Sequence, residues 1–161
     1  MVATGTVRTA VENRLVEIFA ALDGFSDQAR PGAWFVTPPL NGKMTARRWI
    51  VIGVAPDGDI EADSATADGG IAATVDVWTI RCGLACTDVA AAQAAKQACE
   101  DALNAMADLL AIDDRIGMNG PRNVEITRIR GPFSVLEQGQ PRFTWIDFDI
   151  TAQADIERNP A

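Results

Sequence analysis

Residues 122–154 read RNVEITRIRGPFSVLEQGQPRFTWIDFDITAQA, and the fold turns on how this stretch divides. It reads as two long strands joined by a Gly/Pro-rich turn. The second strand alternates: Ile146, Phe148 and Ile150 point one way, and Trp145, Asp147, Asp149 and Thr151 the other. A period of two with one apolar set is the signature of a sheet packed on one face and polar on the other. The polar set carries charge and a tryptophan in a chain without histidine, which points to a contact surface rather than a reaction centre.

Working outward, the segment before it predicts a helix from about Asp88 to Ala111, with Thr87 or Asp88 as its cap. Val89, Ala92, Cys99, Leu103, Met106 and Leu110 share a face, and the many alanines let a helix lie close on a sheet. Further back, Thr74–Gly83 (TVDVWTIRCG) and Arg48–Ala55 (RWIVIGVA) read as strands. The first of these carries apolar residues on both faces, as an interior strand does. The acidic run between them makes the pair a large hairpin. A first helix is predicted over Thr4–Leu22, with an apolar stripe of Val7, Val11, Leu15, Ile18 and Leu22. Thr9 and Glu12 have capping-box spacing, and Gly24 is a natural stop. Residues 23–47 read as a long connection, because Pro38-Pro39 cannot sit in a central strand. The expectation is an α+β domain over residues 1–161, in the order α-β-β-α-β-β, with a four-stranded antiparallel or mixed sheet and two packed helices.

At 161 residues the chain is long enough to bury a real core. Its formal charge of −8 argues against general nucleic-acid binding, since like charge repels a phosphate backbone. No apolar run approaches the ~20 residues that span a bilayer, and the start of the sequence lacks a signal-peptide pattern. No membrane partner and a cytoplasmic site of synthesis are therefore expected. Cys82, Cys86 and Cys99 read as free thiols, since an odd count suits a reducing compartment. In that reading Cys82 ends a strand, Cys86 sits in a turn and Cys99 is a small apolar helix residue.

Two groups of carboxylates have the spacing to carry chemistry. Asp147 and Asp149 form a D-x-D on one strand face, a pattern that binds divalent ions or does acid/base work. Arg128 and Arg130 on the preceding strand have the period to neutralise them instead. Asp57, Asp59, Glu61 and Asp63 make an acidic loop that lacks the Gly and Glu of a calcium loop. Without histidine, no conventional base activates a serine or cysteine, and neither phosphate-cradling glycine motif occurs. No enzyme, cofactor or metal site is expected. The hairpin arginines (Arg122, Arg128, Arg130, Arg142) and the acidic run at 56–73 polarise the chain. Plain surface charge and head-to-tail association, which closes into rings when the rotation allows, both fit that asymmetry.

The stretches VENRLVEIFAAL (11–22), TVDVWTIRCGL (74–84), the alanine-rich helix after it and RNVEITRIRGPFSVLEQGQPRFTWIDFDITAQADI (122–156), with its phrases ITRIRGPF and IDFDITAQA, carry a family resemblance. Together they cover most of the chain apart from residues 23–47 and 56–73. The chain resembles the tail terminator proteins of long-tailed bacteriophages, the lambda minor tail protein U class, in the versions from actinobacterial phages and prophages. The resemblance implies a structural virion protein without enzymatic activity. It implies a homo-oligomeric ring, a hexamer in the family, that caps the tail tube and stops its polymerisation. The implied partners are the major tail tube protein and the head-completion or connector proteins, at the head–tail junction, with a lumen through which DNA can pass. The family supplies no active-site residues. The interface residues expected from charge and period are Arg128, Arg130, Asp147 and Asp149 on the hairpin, with Asp57, Asp59, Glu61 and Asp63 in the acidic loop. Two alternatives stay open: another neck or tube protein of the virion, and a small metal-binding α+β module.

Overall fold

The computed structural model describes residues 4–54, 75–137 and 140–155. Helix α1 spans Thr4–Ala20. Four strands follow: β1 Phe25–Ser26, β2 Trp34–Thr37, β3 Arg48–Ile52 and β4 Val75–Cys86. Helix α2 spans Ala92–Ile112, and the long strands β5 (Pro121–Glu137) and β6 (Gln140–Asp155) complete the domain. They form one six-stranded sheet in the order β1-β2-β3-β4-β6-β5. β1, β2 and β3 run parallel; every later pairing is antiparallel.

The α+β class follows the sequence; the strand count does not. Two extra strands come from the region expected to be a connection. Trp34-Phe35-Val36-Thr37 has the aromatic and β-branched composition of a strand and pairs in register with Trp49–Val51 of β3. Pro38-Pro39 ends this strand rather than forbidding it: β2 stops at Thr37, one residue short of the first proline. The expected β3–β4 hairpin pairing is present, Arg48 opposite Cys86 through Ile52 opposite Cys82.

Helix α1 stops two residues before the expected end, and Gly24 follows with a φ of 80°. Its core contacts are Val11, Leu15 and Phe19, all fully buried, while Ile18 and Leu22 are half-buried. The stripe therefore rotates to favour the larger aromatic side chain. Helix α2 begins at Ala92 without a side-chain cap, so neither Thr87 nor Asp88 caps it. Asp88 instead binds Arg48, and the Thr87 hydroxyl donates to the Arg47 carbonyl. The inward face of α2 is Ala95, Cys99, Ala102, Leu103, Met106 and Leu110, spaced three and four apart as a helical face requires.

Registers place the core on one face of the sheet. Ile50 and Ile52 of β3, Ile80, Cys82, Leu84 and Cys86 of β4, and Ile146, Phe148 and Ile150 of β6 are all buried and mutually in register. They form one apolar cluster with the inward residues of α1 and α2. Cys86 thus sits in a strand opposite Thr144, not in a turn, and its sulfur lies 3.8 Å from that of Cys99 on α2. The alternate positions Trp49, Val51, Val77, Thr79, Arg81, Trp145, Asp147 and Thr151 are only half-buried. Ala85 and Asp149 on that second face are buried.

Candidate interaction surface

Three rows cross this second face of the sheet. The first runs Phe133, Trp145, Ala85, Trp49 from β5 to β3. Phe133 and Phe143 flank Trp145 with ring centroids 5.3 Å and 5.1 Å away, in tilted arrangements, the spacing at which aromatic pairs attract. The second row runs Arg130, Asp147, Gly83, Val51, and the third Thr127, Asp149, Arg81.

These registers decide what the predicted hairpin residues do. Arg130 does lie opposite Asp147, as the strand period suggested. Arg128 does not face Asp149. Thr127 does, because the pairing shifts between Thr127 and Arg130, and Arg128 occupies the bulge with a φ of 48°. Asp149 is only 3% exposed. Its cross-strand neighbour on the other side is Arg81 of β4, a partner that lay in a different part of the sequence. A carboxylate this deep is not a docking group, and its Oδ1 has no hydrogen-bond partner among the described residues. In the second and third rows Arg130 and Arg81 stand in register with Asp147 and Asp149, two cations against two carboxylates. Among the described residues no group of three or more Asp, Glu or Cys is arranged to hold a metal ion.

What β5 does present is apolar. Ile129 is 53% exposed and Phe133 47% exposed, beside the exposed Arg128 and Arg130. β5 is also the last strand of the sheet. An open edge ordinarily invites another strand, but its pairing with β6 shifts register at four places, and Asn123, Arg128 and Gly131 have positive φ. Bulges twist an edge away from a flat ladder. The edge is therefore suited to side-chain contact by Arg128, Ile129, Arg130 and Phe133 more than to strand addition. The composition of the patch, two arginines, an aromatic and an aliphatic, matches the residue types favoured at the centre of protein interfaces.

The hairpin runs past the rest of the sheet. β4 ends opposite Thr144, whereas β5 and β6 stay paired through Val135–Phe143, Leu136–Pro141 and Glu137–Gln140. The acidic residues Asp57, Asp59, Glu61 and Asp63 lie outside the described residues. No described helix is long and apolar enough to cross a membrane.

No family model and no curated protein matches the chain. A solved structure aligned over 100% of both chains shares 14% identity at a TM-score of 0.38, too loose a superposition to carry an argument.

Proposed function

We propose that the protein is a non-enzymatic assembly subunit: a virion protein that forms a ring, hexameric in the family it resembles, on the end of a phage tail tube. The ring stops tube growth and offers the head-joining surface, with the tube protein and the connector proteins as neighbours. The observation that supports this best is the β5 edge patch. Arg128, Ile129, Arg130 and Phe133 are presented on a bulged strand at the rim of the sheet. Exposed large apolar side chains grouped on one strand are costly unless something covers them. The sequence resemblance supplies the identity of the partner; the fold supplies a surface suited to one.

The test is mass by light scattering across protein concentration, salt and Mg²⁺, with negative-stain imaging. Closed rings that do not elongate are expected, and Ile129→Ser/Phe133→Ser is expected to remove them while leaving the circular dichroism spectrum unchanged. Open tubes would move the protein to the tube-forming class. Unchanged rings in the double variant would move the interface off β5.

A further inference from the structure

Among the described residues, a group of positive charge without ion-pair partners of equal number lies away from the hairpin. A cleft of about 400 Å³ opens where the chain enters β2 and β3, lined by residues 29–33 and 45–48 together with Asp88. Arg30, Arg47 and Arg48 line it, against the single acid Asp88. Arg48 is held in place: its Nε lies 3.0 Å and 2.9 Å from the two carboxylate oxygens of Asp88, and its guanidinium sits 5.7 Å from the Trp34 ring centroid. The Arg47 backbone is pinned as well, its carbonyl accepting from the Thr87 amide at 2.8 Å. Arg30 and Arg47 are exposed, and neither makes an ion pair with a described residue. Three arginines against one aspartate leave a net of two positive charges on a pre-formed concave surface. That is the reverse of the balanced hairpin rows, in a chain whose overall charge is −8.

We propose that this cleft is a docking site for a carboxylate-rich peptide, and that its occupant is the acidic stretch Asp57–Asp68 of a second copy of this chain. Charge complementarity is the first argument. That stretch, DGDIEADSATAD, contains five acids and no base, and guanidinium–carboxylate contacts are the strong, directional kind of hydrogen bond. Assembly geometry is the second. Such a contact joins two different surfaces, so it repeats from copy to copy, as ring or filament growth demands. The inference rests on the assembly reading only for the source of the peptide.

The test uses a fluorescent peptide of residues 56–70 and, as receptor, the full chain with Asp57, Asp59, Glu61, Asp63 and Asp68 changed to Asn or Gln, so that its own segment does not compete. Fluorescence anisotropy is expected to show saturable binding that weakens roughly tenfold or more between 50 and 500 mM salt. Arg30→Glu/Arg47→Glu in that receptor is expected to weaken binding at least roughly tenfold, with the unfolding midpoint unchanged because both side chains are exposed. The same peptide with amides for carboxylates is expected not to bind. No saturable binding at 50 mM salt, equal binding of the amide peptide, or loss on Arg128→Glu/Arg130→Glu in place of the cleft variant would each overturn the proposal. Rings that form while the peptide fails to bind would sink this inference and leave the assembly reading standing. Peptide binding by a chain that never assembles would do the opposite.

Discussion

Asp149 shows how one buried charge is accommodated. It is fully inside the sheet, with Arg81 on one flank and Thr127 on the other. Removing the carboxylate takes away the negative charge that stands opposite Arg81 in register. Asp149→Ala is therefore expected to lower the unfolding free energy by about 1–3 kcal/mol in urea titrations. A change within the error of that titration would mean that Arg81 is satisfied without it. The cysteines make a second residue-scale case. Burial pushes the Cys82 thiol well above its ordinary range, the backbone contact with Gly53 opposing it more weakly. A raised folded pKa means that the neutral thiol stabilises the fold fully below the unfolded value of about 8.5, and that this contribution is lost as pH rises beyond it. Stability is expected to fall above about pH 9, and Cys82→Ala to remove about 1.4 kcal/mol per pH unit of that slope. Parallel stability–pH curves for the two proteins between pH 9 and 10.5 would show that Cys82 is not the group responsible. What was legible at this scale was the alternation of Trp145–Thr151, because one face of β6 is core and the other is not. The position of Arg128 was not, because its left-handed backbone is imposed by the bulge and no propensity signals it.

At the scale of elements, Gly131 is where the edge strand depends on a missing side chain. Its φ is 109°, and a Cβ placed there would lie 2.9 Å from the Trp145 carbonyl oxygen on β6. Backbone cannot yield as a flexible side chain can. Gly131→Ala is expected to cost about 1–3 kcal/mol, from strain in φ and a forced separation of β5 from β6. Thermal unfolding measures the loss, and the quenching of Trp145 reports whether the aromatic row opens with it. The same scale shows why the element count was partly hidden. The helices and β4–β6 announce themselves through long periodic runs. β1 and β2 are two and four residues long, too short for a period to emerge, and they exist because β3 offers a parallel edge. That cross-chain cause also explains the redirected Asp88: local sequence favours a cap, while Arg48, brought alongside by the β3–β4 register, takes the carboxylate instead.

For the whole molecule, the question is which of two surfaces carries sign and which carries shape. Sequence placed the basic character on the hairpin because arginines are dense there. Folding sets Asp147 opposite Arg130 and Asp149 opposite Arg81, and it gathers Arg30 and Arg47 from loop positions beside Arg48 at the start of β3. This changes what charge reversal at Arg130 means. Arg130→Glu sets two carboxylates opposite each other across β5 and β6, which destabilises a pair by about 0.2–1 kcal/mol, so lost assembly in that variant has an intramolecular cause available. The exchange Arg130→Glu/Asp147→Lys restores opposite signs in the same row while inverting what the edge displays. Unfolding midpoints are expected to recover in the exchanged protein, and ring formation with them, because Ile129 and Phe133 are untouched and the charged row is neutral in either orientation. Recovery of the midpoint without recovery of the rings would show that a neighbouring copy reads the positive charge of Arg130 directly, and the hairpin would then be an electrostatic surface after all.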